Sequence, residues 1–382
     1  MKQLAIAAAV GMALVASTSR AQSSVTLYGL IDAGIMYTNN VDKGGSRDPV
    51  FQATSGTING SRFGLRGGED LGGGLKAIFV LENGFNVDNG KLAQNSRLFG
   101  RQAYVGLAST QYGALTLGRQ YDSLVDFVAP LSGAGGTFGG TTFAHVFDND
   151  NLEHSVRINN AVKYTSLSYG GFKFGALYAF SNSTDFAGNR AYSVGASYDR
   201  GPLKLAAGYL QFNGTNSTNT SGAADVAESG SNGTGGFRLG AGVQRTAGAG
   251  VNYAFGPALV GFVYTHSQYE QTESFGSDNG TVRFDNYEVN GKYALTRAVS
   301  VGAAYTYTDG HVTRTSTFGE DPKWHQVDLQ TVYSLSKRTD LYAEALYQHA
   351  SGHGYVAFVN ASGGASSTAN QIVGTVGMRT RF

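Results

Sequence analysis

Residues 25–37 read VTLYGLIDAGIMY, and the alternation inside that stretch decides the architecture. Val25, Leu27, Gly29, Ile31, Ala33, Ile35 and Tyr37 fall on one face, with Thr26, Tyr28, Leu30, Asp32 and Gly34 on the other. A period of two is the signature of a β-strand, because successive side chains point to opposite faces of the pleat. The same pattern recurs outward from there. In 171–180 the apolar face is Phe172, Phe174, Ala176, Tyr178 and Phe180, opposite Lys173 and Gly175. Val299, Val301, Ala303, Tyr305 and Tyr307 oppose Ser300, Gly302, Thr306 and Thr308, while Leu341, Ala343, Ala345 and Tyr347 oppose Glu344 and Gln348. The chain ends the same way, with Ile372, Gly374, Val376, Met378, Thr380 and Phe382 opposite Arg379 and Arg381.

Sixteen such segments can be marked: near 25–37, 57–67, 74–85, 97–108, 113–121, 157–167, 171–181 and 191–199, then 202–212, 237–254, 257–270, 281–294, 298–309, 322–335, 339–350 and 370–382. Most have the ~9–11 residues that a tilted membrane strand requires. Their connections alternate between short and long. LGGG at 71–74, TQYG at 110–113, SYGG at 168–171, DRGP at 199–202 and AFGP at 254–257 are short. Long connections fall near 38–56, 86–96, 122–156, 182–190, 213–236, 271–280, 310–321 and 351–369. An even number of strands with short turns at one end and long loops at the other is the pattern of a bacterial outer-membrane barrel. Closure is an energetic necessity there. Lipid offers no hydrogen bonds, and an unpaired backbone group within it costs several kcal/mol. The reading is therefore all-β: a transmembrane 16-stranded antiparallel β-barrel with short periplasmic turns and long extracellular loops. A terminal aromatic on an alternating last strand resembles the signal by which barrel-assembly machinery recognises such proteins.

The composition agrees. Gly numbers 55 of 382 and Pro 5, which suggests disorder until the 22 Tyr and 22 Phe are counted; disordered chains are poor in aromatics. Charged residues make up 14%, well below the ~25% of ordinary globular domains, as suits a surface that faces lipid. Residues 1–21 read as a cleavable export signal: Lys2 is the basic start, Leu4–Ala16 the apolar run and Ser19-Arg20-Ala21 the cleavage site. The mature chain, 22–382, then carries 26 basic against 27 acidic residues, so no global basic surface for nucleic acid exists. With no cysteine, thiolate metal sites and thiol nucleophiles are excluded, and backbone pairing alone must hold the fold.

Several stretches carry a family resemblance. SSVTLYGLIDAG from Ser23, SRFGLRGGEDLGGGLKAIFVLE from Ser61, FGRQAYVGL from Phe99, GALTLGRQYD from Gly113, NAVKYTS from Asn160 and the terminal GMRTRF occur in order. Together they resemble the general porins of β-proteobacteria, the Burkholderia, Comamonas and Neisseria type. The likeness covers nearly all of the mature chain and is weakest in the long loops. It implies an outer-membrane diffusion channel for small hydrophilic solutes and ions, assembled as a homotrimer, with the third long loop (about 122–156) folded into the lumen. The Gly-rich SGAGGTFGG at 132–140 suits backbone packed against a barrel wall.

A pore needs a diameter and a field rather than a catalytic group, and rings of Arg or Lys favour anions. Arg62 and Arg66 lie opposite the lipid-type Phe63 and Leu65; Arg157 and Lys163 lie opposite Ile158, Val162 and Tyr164. A lipid-facing Arg at mid-membrane costs ~2–4 kcal/mol, so these arginines are read as pointing into the lumen. The resemblance places Arg62, Arg97 and Arg157 where related anion-selective porins line the constriction, and Glu82 at a lumen carboxylate. Glu82 shares parity with Lys76. Arg101 and Arg119 stand near the same level, but Arg101 shares parity with Ala103, Val105 and Leu107, so a bulge or strand end must turn it inward. Asp122 and Asp126 open the third loop, and Asp148, Asp150 and Glu153 close it. They either set a transverse field against the arginines or hold the loop down.

No cofactor or metal site is expected. The seven histidines include no HExxH, and no motif ties Ser, His and Asp into a catalytic group. A solute-specific channel would want an aromatic ladder down the lumen, yet Tyr and Phe mostly share lipid parity, with Tyr28, Tyr104 and Tyr342 as exceptions. A loop-mediated adhesin on the same barrel is the other alternative.

Overall fold

The computed structural model describes residues 24–44, 47–225 and 240–382. The expected export signal lies outside the described residues, as does the start of the strand expected from 237. The strands are β1 (Ser24–Asp42), β2 (Arg47–Ser55), β3 (Arg62–Gly72), β4 (Leu75–Gly84), β5 (Gln102–Ser109), β6 (Gly113–Gln120), β7 (Ile158–Thr165) and β8 (Phe172–Ala179). They continue with β9 (Arg190–Arg200), β10 (Leu203–Asn213), β11 (Val243–Phe255), β12 (Ala258–Thr272), β13 (Gly280–Ala294), β14 (Val299–Val312), β15 (Lys323–Ser334), β16 (Thr339–Ser351) and β17 (Asn370–Arg381).

Seventeen segments make sixteen barrel staves. β1 pairs along one edge with both β2 and β3, and along its other edge with β17. Thus β2 and β3 are one stave, interrupted at 56–61, and the β1–β17 ladder closes the barrel with Asp32 opposite Arg379. Every pairing is antiparallel, in register with a lumen row such as Tyr28–Gly64–Glu82–Gln102. The outward parity carries Val25, Leu27, Ile31 and Ile35 on β1 and Ile372, Val376 and Met378 on β17, all exposed. Tyr253, Phe255, Tyr293 and Tyr333 stand near the short turns, and Tyr287, Tyr305 and Tyr347 nearer the loops. These two bands match the interfacial aromatic girdles of membrane barrels.

The long first loop expected at 38–56 is replaced by structure. β1 runs on to Asp42 and β2 begins at Arg47, so only 43–46 connect them. Polarity misled the reading there, because 47–55 has too few apolar residues to show the alternation, yet it keeps the ladder with β1. The kink at 56–61 is stapled by Asp32 on the lumen face of β1. Its Oδ2 accepts from the N–H groups of Ile58 (3.0 Å) and Asn59 (2.9 Å), and its own N–H donates to Ser61 Oγ at 3.0 Å.

The third loop, 121–157, lies inside the barrel. A helical turn, Leu124–Val128, packs on β9, β10 and β11, and the next, Ala129–Leu131, on β11 and β12. Its N–H groups then reach lumen side chains further round the wall: Gly133 to Glu288 Oε1 (2.8 Å) and Gly139 to Gln330 Oε1 (3.0 Å). Thr142 donates to Glu344 Oε2 at 3.0 Å. Glycine is required where the loop touches the wall closely. A Cβ on Gly140, at φ +153°, would sit 2.3 Å from the carbonyl oxygen of Ile58, and one on Gly302 would sit 2.5 Å from the Phe138 ring. On the return, fully buried Phe147 packs among Phe275, Phe284, Trp324 and Phe358 beneath the outer loops. Burying one such ring is worth roughly 1.5–3 kcal/mol, so the loop is held from above as well as from the side.

Gly140→Val should therefore lift the loop tip. Both the positive φ and the backbone clash oppose a β-branched side chain, with a cost of at least about 1–3 kcal/mol. A lower unfolding temperature with noisier open-channel current is expected; unchanged traces would mean that the tip carries no load.

Candidate constriction site

The arginines gather on the arc from β1 to β7, where Arg101, Arg119 and Arg157 are buried. Arg62 opens β3, with Leu30 of β1 on one side and Gly84 of β4 on the other. Its Nε donates to the carbonyl of Gly60 at 3.0 Å, so the kink at 56–61 aims this side chain. Glu82 sits on the lumen face of β4 and uses both oxygens: Oε1 accepts from Arg101 Nε at 2.8 Å, and Oε2 from Tyr28 OH at 3.0 Å.

Arg101 lies one residue before β5 begins at Gln102, and this strand end frees it from the lipid parity of Ala103. Its Nη2 also stands 3.4 Å from His154 Nε2. Arg119 pairs in register with Ala103, yet a register shift between Gly118 and Gln120 turns it inward. Its Nε donates to the carbonyl of Gly100 at 2.8 Å, and Nη1 donates to Asn159 Oδ1. Arg157, the last residue of loop 3, lies over the Tyr121 ring, 5.8 Å from its centroid, and donates to the Ser155 carbonyl at 3.1 Å. Tyr121 stacks in turn on His154, with 5.2 Å between centroids. Loop 3 thus presents Glu153, His154 and Ser155 to a cavity that Arg101 and Arg157 also line.

Arg97, also singled out from the sequence, lies close enough to Arg119 to act on its charge, and the remaining candidates stand apart. Arg97 is in the second loop, five residues before β5, and pairs with Asp225 at 2.7 Å. Lys76 has lumen parity but sits beside the periplasmic turn, six residues or ~20 Å down the strand from Glu82. Asp122 is fully buried: Oδ1 accepts from the N–H of Leu124 (2.7 Å) and Oδ2 from Asn151 Nδ2 (2.8 Å), which pins the start of the loop to its end. Asp126 pairs with Lys163. Asp148 caps the N–H groups of Glu153 and Ser155 at 2.9 and 3.0 Å.

Asp150 faces His145, whose other nitrogen lies 3.0 Å from Glu288 Oε2 on β13. This buried latch and the places of His154 and Tyr121 were not read from the sequence. Loop conformation alone brings these side chains to the wall, and no periodicity announces it.

Burial dominates the loop electrostatics. It raises Glu153 to about 8, helped by the neighbouring Asp148, and raises Asp148 to about 7, helped by Asp150. Burial, with Arg101, Arg157 and Arg62 nearby, holds His154 well below the usual imidazole range. For His145 burial opposes the charge, but Asp150 and Glu288 more than offset it and hold the ring cationic. Among the described residues no group of three His, Cys, Asp or Glu is placed to hold a metal ion.

Residues 5–353 match the model of the Gram-negative porin family. The chain belongs to the Gram-negative porins. An outer membrane porin of Bordetella pertussis is 36% identical, over 91% of this chain and 94% of its own length. One from Delftia acidovorans is 30% identical over 99% and 98%. Among solved structures, an anion-selective porin from Comamonas acidovorans superposes with a TM-score of 0.74 at 25% identity, covering 94% of this chain and all of its own. The porin described here is accordingly an integral outer-membrane channel and not an enzyme. The orientation follows, with the short turns periplasmic and loop 3 hanging from the extracellular side.

Proposed function

We propose that this porin prefers anions, and that Arg62, Arg101, Arg119 and Arg157 set that preference at the level of loop 3. The observation that carries the reading is the charge balance of the arc. Four guanidiniums come from β3, β6 and the residues that border β5 and β7, against one wall carboxylate, Glu82, whose oxygens are both taken. Glu153, the loop carboxylate beside Arg62, Arg101 and Arg157, is held largely protonated at neutral pH by burial and Asp148. Fixed positive charge at a narrow, partly desolvated point raises the local anion concentration and repels cations. Lys163 is offset by Asp126, and Arg97 by Asp225, so these contribute less. The anion selectivity named for the Comamonas porin points the same way. We also propose that residues 1–21 are removed on export, that 22–382 form the mature barrel, and that three copies assemble in the outer-membrane lipid, as the family resemblance implies.

The test is a planar-bilayer recording in a salt gradient. Wild type should give an anion-selective reversal potential, and Arg62→Gln with Arg157→Gln should move it towards zero. Neither residue forms an ion pair among the described contacts, so the double variant keeps the ion pairs of the wall. A cation-selective wild type, or a reversal potential indifferent to both substitutions, would overturn the assignment.

A further inference from the structure

A second basic recess lies at the tip of loop 3, where β13 to β17 approach their periplasmic turns. Lys292 of β13, Arg379 and Arg381 of β17, Asp340 of β16 and Ser300 of β14 line it, and residues 136–139 of loop 3 complete it. The space is about 310 Å³. Asp340 is the one carboxylate in this lining, and a single oxygen of it serves both arginines: Oδ2 accepts from Arg379 Nη2 at 3.0 Å and from Arg381 Nη1 at 2.8 Å. Lys292 Nζ donates to a neutral acceptor, the carbonyl of Thr137, at 3.1 Å. Arg379 Nη1 donates to Asn59 Oδ1, and its Nε is buried without a hydrogen-bond partner.

The next carboxylates are turned away. Asp32 is occupied by the N–H groups of Ile58 and Asn59 and by Tyr342 OH; Glu344 is occupied by Gln330 and Thr142. Three cations thus line a recess with one carboxylate, which the two arginines share, and guanidinium and ammonium N–H donors and a serine hydroxyl are at hand. That donor set suits a compact oxyanion with more than one charge, which takes several charge-assisted bonds at once.

We propose that this recess binds a small divalent oxyanion of the phosphate type, and that the pore therefore holds an anion site separate from the arginine arc. Occupancy would narrow the lumen and repel chloride, so phosphate would inhibit chloride current saturably. The site does not depend on the arc setting selectivity, and the two fail separately.

The experiment measures single-channel chloride conductance while inorganic phosphate is added to both sides at constant chloride. Wild type should show a saturable fall. Lys292→Gln with Arg381→Gln should raise the half-blocking concentration at least about tenfold, the equivalent of one lost charge-assisted bond. Ser300→Phe, which fills the recess and leaves every charge in place, should weaken the block as well and serves if the double variant does not assemble. Arg157→Gln should shift the reversal potential and leave the half-blocking concentration unchanged. Three results would overturn the proposal: no saturable block in wild type, a block that ignores the recess variants, or one that follows Arg157→Gln instead.

Discussion

Raising the pH from about 6 to about 9 is expected to lower the anion-over-cation permeability ratio, and Glu153→Gln is expected to remove most of that fall. The reason lies in one buried carboxyl. Glu153 keeps its proton to about pH 8, chiefly because burial penalises its charge and secondly because Asp148 is close by. While protonated it leaves Arg101 and Arg157 without a counter-charge from the loop. Once ionised it places a unit negative charge beside them. At an effective dielectric near 20, a charge at such separations shifts the local potential by a kcal/mol or more before salt screening, so a fall of roughly threefold or more in the ratio is reasonable.

The same groups give the loop a pH-dependent hold, and the signs agree. A carboxyl raised in the folded state, as for Glu153 and Asp148 (about 7), contributes its stabilisation below its ordinary value and loses it as the pH climbs to the raised one. His145 is likewise raised by Asp150 and Glu288. Its contribution is complete below the ordinary imidazole value and is lost as the pH rises through the folded one. Loop 3 should therefore be firmest in mild acid. Reversal potentials at pH 6, 7.5 and 9, for wild type and Glu153→Gln, settle the selectivity half. An identical fall in both proteins would move the cause away from Glu153.

How far the sequence reaches is clear from particular residues. The period-two alternation in 25–37 put Ile31 and Asp32 on opposite faces, and the structure exposes the first and buries the second, as a closed sheet in lipid requires. The alternation also marked Arg62 as lumenal and warned that Arg101 needed a bulge or strand end, which it has at Gln102, while the lumenal place of Glu82 came from resemblance. It failed where hydrogen bonding goes on through a mostly polar sequence. β2 (Arg47–Ser55) pairs with β1, and its sequence reads as a polar loop.

Loop 3 exposes a different limit. Its inward fold came from resemblance, while its glycines hinted at close packing. Yet the roles of its acids could not be sorted, since Asp122, Asp148 and Asp150 spend their oxygens on backbone N–H groups and neighbouring side chains within the loop and on the wall, while Glu153 sits beside the arginines. Those are consequences of tertiary folding in an irregular segment, for which no sequence period exists.

The largest stability loss should come from Arg101→Met. The Arg101 and Glu82 side chains are only 2% and 6% exposed, so solvent screening does little to soften the change. Removing the guanidinium leaves the Glu82 carboxylate buried with Tyr28 OH as its donor on the wall, and breaking a buried pair from one side typically costs about 3–5 kcal/mol. Replacing both members behaves differently. In Arg101→Met with Glu82→Gln the buried charge is gone, Tyr28 can still donate to the amide oxygen, and most of the loss should be recovered.

Guanidinium unfolding in detergent, followed by the electrophoretic shift between folded and unfolded barrel, gives the two single variants and the double one on a common scale. The coupling energy is the informative quantity, because it isolates the pair from the packing that each side chain loses alone. A double variant as unstable as Arg101→Met would mean that Arg101 matters through its contacts with the strand end and His154 rather than through the pair. In that case the arginine arc would be held by the backbone turn before β5, and Glu82 would be free to vary without cost to the barrel.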